Sequence, residues 1–456
     1  MIDWIPTLTQ NGKPRYLAIA EAIAVDIRTG TLSPGDRLPP QRRLAARLGI
    51  DFTTVSRAYS EAQARGLVAS HVGRGTFVTS VAPEAFCSDP QRDGEEDLSM
   101  NMAPEPTDAA LLEKMREGMG YVSANLIALL RYQSAVGSEQ DKMAASTWLS
   151  MRGMVPLLER IAVTPGAHPT MVAILSILTT PGDVVLCENI TYPGIRNIAA
   201  QMRVQLKGIA MDAEGILPDA LEAAIKAHAP RALYLNPTLQ NPTTLTIPTA
   251  RRLEIAEVLN RYGLPLIEDD AYGFIPLKAP APLAVSAPDL TWHIGGLAKC
   301  IGAGLRLAYT VAPSGKHAYA LAQALRTISV MPSPISMALV TRWIEDGTAD
   351  RIRRFIRQES AARQAVAAAA LDGFEFSTAE NAFNLWLRLP AGVSRADIIA
   401  RMAGRHIGIV PSDAFTIEGP PDEHVRICLG GSIPRDALQS GLQFLSHILV
   451  PSSYIG

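Results

Sequence analysis

Residues 291–309 read TWHIGGLAKCIGAGLRLAY. The run Thr291–Ile294 predicts a strand, and Leu305–Val311 predicts a second one after a small-residue turn. Between them Lys299 stands alone among apolar and small residues. Because burial disfavours a charged amine, we expect its pKa to be lowered and its Nζ to be nucleophilic. Arg306 carries a planar fork that suits a phosphate. Taken alone, the stretch also fits an ordinary solvated loop.

Two other stretches carry side chains that suit a nucleophilic lysine. LPLIEDDAYGF (264–274) predicts a buried strand that ends in acids, and a carboxylate there can keep a pyridine nitrogen protonated. NPTLQNPT (236–243) follows the predicted strand Ala232–Leu235 and contains an Asn241–Pro242 bond that is a candidate for the cis form. Nucleophilic amines form Schiff bases with aldehydes such as pyridoxal 5′-phosphate (PLP). Each stretch alone fits a plain strand end or turn, but their order together indicates a PLP site.

These motifs resemble those of the fold-type I PLP-dependent aminotransferases. The resemblance implies that Lys299 is the Schiff-base lysine and that Asp269 is the partner of the pyridine nitrogen. It also implies that Tyr272 and Asn241 flank the phenolic oxygen of the ring and that Arg306 binds the phosphate.

Further motifs extend the resemblance. Tyr192 in ENITYPG matches the aromatic residue that stacks on the ring, and Ala167 and His168 in VTPGAHPT match the phosphate-binding start of a helix. Arg426 in HVRICLGG matches the arginine that holds a substrate carboxylate. Tyr132 in LLRYQSAVG matches a tyrosine that reaches a phosphate across a dimer interface.

The phosphate end departs from the family pattern. Gly296 and Ala298 stand where hydroxyl residues are usual, and Thr244 stands where glycine is usual. His168 replaces Gln or a small polar residue, and either a phosphate-donor role or a structural role is open to it. Each lost hydrogen bond to a charged group costs about 1.5–3 kcal/mol, so we expect weakened PLP binding.

Composition bounds the broad class of protein. The chain has 456 residues, 48% hydrophobic and 19% charged, an ordinary balance for two or three globular domains. No apolar run reaches membrane-spanning length and the N-terminus lacks a signal pattern, so we expect a cytoplasmic protein. Four scattered cysteines predict reduced thiols rather than a disulfide framework or a metal site.

The N-terminal segment differs from the rest of the chain in charge. Residues 14–79 carry nine arginines and five acids, whereas the whole chain has a net charge of −2. A basic segment on an acidic body predicts a polyanionic partner for that segment alone. Helix, short turn and helix within it is the helix-turn-helix pattern. Helices are predicted at Tyr16–Thr29, Gln41–Leu48 and Thr53–Arg65, and strands at Leu67–Ser70 and Thr76–Thr79.

The strings SPGDRLPPQRRLAARLG, TTVSRAYSEAQARGLV and GRGTFV resemble the winged helix-turn-helix of the GntR family. The resemblance implies a phosphate contact from Arg42, a recognition helix in the major groove and a wing in the minor groove. Phe52 departs from the polar or basic residue that is usual at its position. The implied DNA-binding residues are Arg42, Arg43, Thr53, Thr54, Arg57 and Arg74.

Alternating short apolar runs and helical stretches after Leu98 predict an α/β fold, a mostly parallel sheet with helices on both faces. The expected division is a winged helix-turn-helix domain over 1–80, a linker over 81–97 and an aminotransferase-like domain over 98–456. A smaller C-terminal α+β subdomain is expected from about residue 326.

The combination resembles the MocR/GabR family of bacterial transcriptional regulators over nearly the whole chain. It implies a head-to-tail homodimer that binds a double-stranded DNA operator and senses an amine, an amino acid or PLP itself. Two alternatives stay open at this point. One is a working aminotransferase with an accessory DNA-binding head, and the other is a regulator whose body no longer binds PLP.

Overall fold

The computed structural model describes residues 4–6, 14–71, 75–79 and 99–450, and the chain divides into two compact units after Glu95. The predicted wing residue Arg74 and the predicted linker 81–97 lie outside the described residues. In the first unit the helices and strands are α1 (Arg15–Arg28), α2 (Gln41–Leu48), α3 (Phe52–Ala64), β1 (Val68–His71) and β2 (Gly75–Val78).

Helices α1, α2 and α3 share one apolar core, with Ile19, Leu44 and Val55 fully buried in it. Gly49 ends α2 in the left-handed conformation, which glycine adopts without strain. The Asp51 carboxylate accepts a hydrogen bond from the backbone N–H of Thr53 and so caps α3. This short turn between two helices confirms the predicted helix-turn-helix, and β1 and β2 pair antiparallel after it.

The second unit contains the remaining elements. Its helices are α4 (Ala109–Ala124), α5 (Leu126–Leu129), α6 (Glu139–Ser150), α7 (Ala167–Leu178), α8 (Pro193–Met202), α9 (Pro218–His228), α10 (Thr249–Tyr262), α11 (Leu283–Ser286), α12 (Gly315–Ser329), α13 (Pro334–Glu345), α14 (Thr348–Ala370), α15 (Arg395–Met402) and α16 (Arg435–Leu449). Its strands are β3 (Ile161–Thr164), β4 (Val184–Glu188), β5 (Gln205–Ile209), β6 (Met211–Asp212), β7 (Gly215–Ile216), β8 (Ala232–Leu235), β9 (Leu266–Asp269), β10 (Thr291–Gly296), β11 (Ala308–Val311), β12 (Phe376–Ser377), β13 (Asn384–Arg388), β14 (Ile409–Pro411) and β15 (His424–Cys428).

Seven of these strands form one sheet, in the order β3-β11-β10-β9-β8-β4-β5. Strand β11 runs antiparallel to both of its neighbours, and the pairings from β10 to β5 are parallel. Separate apolar clusters pack helices against the sheet, which explains why its strands read as continuous apolar runs. The mostly parallel α/β sheet predicted from the sequence is therefore confirmed.

A second sheet, β12-β13-β15-β14, is antiparallel and has its own core with α14, α15 and α16. Trp386 of β13 is buried and stacks on His424 at a ring-centroid distance of 5.2 Å. The domain boundaries, including the subdomain from about residue 326, stay a prediction.

Two predicted element boundaries near the site were wrong. Strand β11 starts at Ala308, not at Leu305, because Arg306 has a positive φ of 51° and follows a short 3-10 helix. The sequence pattern predicts a helix over Thr170–Thr179, but α7 starts three residues earlier, at Ala167. Gly166, with φ 98°, ends the preceding extended chain there, and Pro169 sits in the first turn, where its missing N–H costs little. Within the described ranges no helix is long and apolar enough to span a bilayer.

Candidate functional site

A cavity of about 350 Å³ lies where the parallel strands end. Asp269 is the last residue of β9, Lys299 follows β10, and Tyr192 follows β4. Such crevices beyond the carboxyl ends of parallel strands are the usual ligand sites of α/β sheets. The predicted site residues of this unit that line the cavity are Ala167, His168, Tyr192, Asn241, Asp269, Tyr272, Lys299, Arg306 and Arg426.

Tyr132 does not line this cavity. Its side chain is 86% exposed on the surface after α5. The family resemblance assigns its contact to the cavity of a second copy of the chain, and that role stays a prediction.

Lys299 is half-buried, and its Nζ donates a hydrogen bond to the backbone oxygen of Asn101. Burial of the amine, followed by the nearby Arg426 guanidinium, lowers the pKa of Lys299 to about 8. A lysine with this pKa carries an appreciable neutral fraction near pH 8, so it can act as a nucleophile.

Asp269 is a buried carboxylate with an open acceptor. Its Oδ2 accepts a hydrogen bond from the Tyr234 hydroxyl at 2.9 Å, whereas Oδ1 has no hydrogen-bond partner among the described residues. Burial raises the pKa of Asp269 to about 6. A buried oxygen without a partner destabilises the protein, and a donor that enters the cavity would relieve this.

The neighbouring Asp270 is equally buried, but its carboxylate is paired. It contacts Arg152 Nε at 3.0 Å and His293 Nε2 at 3.3 Å. Burial alone would raise the pKa of Asp270, but the charges of Arg152 and His293 outweigh burial and hold the pKa far below its usual value. Asp270 is therefore part of a buried ionic group with Arg152 and His293, and Asp269 lines the cavity.

Tyr272 and Asn241 are held by neighbouring amides. The Tyr272 hydroxyl accepts a hydrogen bond from Asn101 Nδ2 at 3.0 Å, and the Asn241 backbone N–H donates to Asn236 Oδ1 at 2.8 Å. The Asn241–Pro242 bond is cis, as the sequence suggested. The Tyr272 hydroxyl and the Asn241 backbone are therefore held in place by hydrogen bonds within the protein.

The phosphate end predicted from the sequence lies at the start of α7. Ala167 and His168 are the first two residues of this helix, whose first backbone N–H groups suit an anion. A Cβ added to Gly166 would lie 3.3 Å from Arg306 Nη2, so the Arg306 guanidinium packs directly against the helix start. Gly296 and Ala298 line the same cavity and contribute no hydroxyl group.

His168 contacts the aromatic residue predicted to stack on the cofactor. Its Nε2 lies 2.9 Å from the Tyr192 hydroxyl, and the two ring centroids are 5.7 Å apart. Burial, together with the charges of Arg306 and Lys299, lowers the pKa of His168 and favours the neutral imidazole. The imidazole therefore positions the Tyr192 ring, and the His168 backbone N–H remains part of the helix start.

Arg426 is a buried cation with an incomplete set of partners. Its Nη1 donates to Asn241 Oδ1 at 3.0 Å and its Nη2 donates to the backbone oxygen of Ser99. Its Nε is buried without a hydrogen-bond partner among residues that the structure describes. No ion pair of Arg426 occurs within the described ranges, so the guanidinium is available to an anionic group.

In the first unit the predicted DNA-binding side chains lie on α2 and α3. Arg42, Arg43 and Arg57 are exposed. The Arg42 guanidinium lies over the Phe52 ring at 5.8 Å, and that of Arg57 lies over the Tyr16 ring at 4.5 Å. The aromatic ring at position 52, which departs from the family pattern, therefore supports a basic side chain.

The two threonines of α3 differ in environment. Thr53 is exposed, and its hydroxyl donates a hydrogen bond to the Asp51 carboxylate of the helix cap. Thr54 is half-buried. The Thr53 hydroxyl therefore donates its proton within the protein, and its oxygen can still accept a hydrogen bond from a DNA base or a water.

Comparison with known proteins decides the family of the larger unit. A family model described as aminotransferase class I and II matches residues 110–445. The chain belongs to this family. A second model, of bacterial regulatory proteins of the gntR family, matches residues 15–78. The two matches confirm the resemblance to the MocR/GabR type of regulator, in which a GntR-type head precedes an aminotransferase domain.

Relatives and solved structures agree with this division. The chain is 28% identical to the uncharacterized HTH-type transcriptional regulator YdeF of Bacillus subtilis, over 98% of this chain and 97% of that protein. It is 26% identical to the HTH-type transcriptional regulator TauR of Rhodobacter capsulatus, over 87% and 88%. The structure of LysN, an alpha-aminoadipate aminotransferase from Thermus thermophilus complexed with N-(5′-phosphopyridoxyl)-L-leucine, superposes with a TM-score of 0.70 at 22% identity, over 77% of this chain and 91% of that one.

Membership of the aminotransferase family implies PLP as the cofactor, and the cavity of the aminotransferase domain fits it. Asp269 Oδ1 has no hydrogen-bond donor among the residues described, and a protonated pyridine nitrogen would supply one. Lys299, with its lowered pKa, suits the aldehyde of the cofactor. Arg306 and the start of α7 supply hydrogen-bond donors and positive charge for its phosphate. The residues that remain therefore suit both ends of PLP, despite the two missing hydroxyl groups.

Sequence reasoning missed some polar residues of the aminotransferase domain. Tyr234 lies two residues before the NPT motif, and the alternation of a strand places it on the same side as Asn236, which was a usable signal. Asn236 Nδ2 donates to the Asp269 backbone oxygen at 2.6 Å. Ser99 and Asn101 had no sequence signal, because they reach Arg426 and Lys299 only through the tertiary fold.

Proposed function

We propose that this protein is a cytoplasmic transcriptional regulator that binds a double-stranded DNA operator through its N-terminal unit. Its aminotransferase domain would bind PLP through Lys299 and sense an amine, an amino acid or PLP itself. The observation that carries the proposal is that one chain has both exposed basic residues on a helix-turn-helix and a lysine and a carboxylate that suit PLP in one cavity. Arg42 and Arg57 are exposed on the first unit, and Lys299 and Asp269 face one cavity in the second.

The DNA-binding half rests on helix α3 and the helix before it. In a helix-turn-helix the second helix enters the major groove with its N-terminal residues near base edges. Thr53, Thr54 and Arg57 lie in the first half of α3 and would face the bases. Arg42 and Arg43 lie near the start of α2 and would contact phosphates. Arg74 is proposed from the sequence alone as a minor-groove contact.

The cofactor half rests on the cavity residues. Bound PLP would supply an electrophilic aldehyde carbon that captures amines. Lys299 would hold the cofactor covalently, and Asp269 Oδ1 would accept a hydrogen bond from the ring nitrogen. Tyr192 would pack on the ring while His168 keeps the Tyr192 hydroxyl in place.

The other contacts concern the periphery of the cofactor and the effector. Tyr272 and Asn241 would flank the phenolic oxygen. Arg306 with the backbone N–H groups of Ala167 and His168 would hold the phosphate. Arg426 would bind a carboxylate of the effector, since its guanidinium has no acidic partner within the described residues.

A homodimer is part of the proposal. Exposed apolar side chains cluster in two neighbouring stretches of the chain, around α5 and after α6, and include Tyr132 at 86% and Val155 at 85% exposure. Large exposed apolar side chains of this kind are unusual unless a partner covers them. A second copy of the chain would cover them and would bring Tyr132 to the phosphate of the neighbouring cavity.

The first experiment combines absorption and DNA binding. The purified protein should gain a visible absorption band when PLP is added, and borohydride should bleach it. Lys299→Ala should lack the band, whereas Lys316→Ala, which removes an exposed lysine of α12, should retain it. Selected operator DNA should bind the wild type with an affinity that falls steeply with salt, because phosphate contacts dominate.

The regulatory part is tested by a panel of amines and amino acids. A compound that changes the visible band should also change operator affinity, and the coupling must be reciprocal between DNA and ligand. Operator affinity that stays constant across PLP and the whole panel would refute the sensing function. A protein without a PLP band would refute the cofactor role, and the DNA-binding role would then stand alone.

A working aminotransferase is the second candidate. The observation in its favour is that the cavity keeps Arg426, the predicted carboxylate contact, beside Lys299 and Asp269. Sustained exchange of amino groups between an amino acid and a keto acid, abolished by Lys299→Ala, would support it. A single conversion without turnover would favour the regulator.

A further inference from the structure

Residues Ser99–Pro104, here called the covering segment, lie over the cavity of the aminotransferase domain. The Gly431 backbone N–H donates to the Ala103 backbone oxygen at 3.2 Å, and Pro104 forms a bridge with Gly431. An added Cβ at Gly430 would lie 1.6 Å from the Met102 oxygen, so the segment packs against glycine backbone that no other residue could replace. The segment is therefore held in place at its C-terminal end.

The side chain of Asn101 fastens the middle of the covering segment. Its Nδ2 lies 3.0 Å from the Tyr272 hydroxyl and 2.9 Å from Asn384 Oδ1. Both bonds are buried, and they join the segment to the cavity wall on one side and to strand β13 on the other. The N-terminal end, at Ser99, has a different kind of contact.

Two backbone oxygens of the covering segment, one at its N-terminal end and one in its middle, contact the two cations on which the proposed function depends. The Ser99 oxygen accepts from Arg426 Nη2, and the Asn101 oxygen accepts from Lys299 Nζ. A backbone carbonyl carries only a partial negative charge. A carboxylate makes shorter, stronger and often bidentate bonds with a guanidinium, so it is the better partner for Arg426.

The charge of the cavity adds to this preference. Of the residues that line it, Lys299, Arg306 and Arg426 are cationic and Asp269 is the single carboxylate. Arg426 Nε is also buried without a partner within the described ranges, so the Ser99 oxygen satisfies the guanidinium only in part. An anionic ligand is therefore a stronger hydrogen-bond partner for Arg426 than the Ser99 backbone oxygen is.

We propose that the Ser99 carbonyl competes with the carboxylate of the effector for Arg426. A ligand that carries a carboxylate takes Arg426, and the N-terminal end of the covering segment leaves the cavity. Ser99 is the first described residue after Thr79, the last described residue of the first unit. Among the described residues of the second unit Ser99 is the nearest in sequence to the DNA-binding unit, and we infer that its release changes operator affinity. This regulatory consequence rests on the proposed function, whereas the competition does not.

The competition is tested with a fluorinated label on Ser99→Cys in the full-length protein carrying Cys87→Ser. The three other cysteines are buried, so labelling is selective. The probes are acetate, propionate, butyrate and glutarate, each paired with its neutral amide. The acids should shift the fluorine resonance in a saturable way, and the amides should not. A label on Ser440→Cys, exposed on α16, is the control and should not respond.

Two variants separate competition from a merely structural contact. Arg426→Gln, without any ligand, should place the Ser99 label at the position that acids produce in the wild type. Asn101→Ala loses two hydrogen bonds of the segment and should bind the best acid about 3- to 10-fold more tightly. Acid binding without a shift of the label, weaker acid binding by Asn101→Ala, or no binding of any acid would each overturn the proposal.

Operator affinity and the PLP band, measured on the same labelled protein, keep the two proposals distinguishable. Acids that move the label but leave operator affinity unchanged would retain the competition and refute its regulatory consequence. An effector that changes operator affinity while the label stays in place would retain the proposed function and refute the role of Ser99. Both quantities are expected to change together, with Asn101→Ala shifting operator affinity in the direction that the effector does.

Discussion

The two units of this chain place their functional residues in opposite environments. In the first unit the proposed DNA contacts Arg42 and Arg57 are exposed, each against an aromatic ring and above an apolar core. In the aminotransferase domain Asp269 and Arg426 are buried and Lys299 is half-buried, and Asp269 and Arg426 each keep a polar atom without a partner among the described residues. The difference follows from the two tasks.

Binding a polyanion requires charges at the surface, where water solvates them and folding loses little. Capturing a small molecule requires charges and dipoles inside a cavity, where every incomplete hydrogen bond weakens the folded state. We therefore expect substitutions in the first unit to change binding with little effect on stability. Substitutions in the cavity should change stability and binding together, in directions that depend on the pairing of each group.

Asp270→Asn should have the largest effect on stability. The substitution removes one charge of a buried group that includes Arg152 and His293, and it leaves Arg152 buried without its counter-ion. We expect the free energy of unfolding to fall by about 3–5 kcal/mol, measured by chemical denaturation at neutral pH. Asp289→Asn, at an exposed site, should change it by less than about 0.5 kcal/mol. Equal effects of the two substitutions would contradict the assignment.

Asp269→Asn should act in the opposite direction in the PLP-free protein. The pKa of Asp269 is raised to about 6 in the folded state, so ionisation above that pH weakens folding. Neutral asparagine should therefore raise the free energy of unfolding at pH 7.5 by about 1–3 kcal/mol. The gain should shrink as the pH falls through 6 and should vanish below about pH 3, where wild-type Asp269 is protonated in both the folded and the unfolded state.

The same variant should bind PLP more weakly, because the open acceptor for the ring nitrogen has lost its charge. Denaturation curves at several pH values, with and without PLP, provide the test. A stability difference that does not depend on pH would show that ionisation of Asp269 is not the cause.

Arg57→Ala should change DNA recognition without a large change in stability. An arginine that reads a base edge contributes about 1–3 kcal/mol, so operator affinity should fall roughly 10- to 100-fold and preference should relax at some base pairs. The free energy of unfolding should change by less than about 1 kcal/mol, since the substitution removes only exposed packing on the Tyr16 ring. Arg65→Ala, which breaks an exposed pair with Glu61, is the matched control and should bind DNA normally.

Arg42→Ala should have the smallest effect of the four. Because the substitution removes one interaction with a phosphate, it should weaken binding to all DNA sequences alike, about 3- to 10-fold. The slope of log affinity against log salt should also fall by about 1. Titrations of operator and unrelated DNA at several salt concentrations measure both quantities. A selective decrease for the operator would move Arg42 from the phosphates to the bases.

Much of the fold could be predicted because local signals in the sequence are strong. Helix α2 and strand β8 have the predicted bounds, since Gly49 ends the helix and the NPT turn ends the strand. The boundaries at Ala167 and Ala308 were missed because positive φ angles at Gly166 and Arg306 redirect the chain there. Both misses lie at the phosphate end, where the chain curves around the ligand rather than following a regular element.

The types and order of the site residues are properties of the sequence alone. A lone lysine after a small-residue strand, acids at a strand end and an NPT turn are recognisable because each is set by local chain geometry. The basic helix-turn-helix was recognisable for the same reason, and its functional side chains need only be exposed.

The tertiary structure decided what each group in the cavity does. Asp269 and Asp270 are adjacent and identical in type, yet one has an open oxygen and a raised pKa, and the other is paired and strongly acidic. The contacts of Ser99 with Arg426 and of Asn101 with Lys299 also exist only in the folded chain. Burial and the charges of distant residues set these properties, because electrostatic free energies depend on distance and solvation in the folded state rather than on position along the chain.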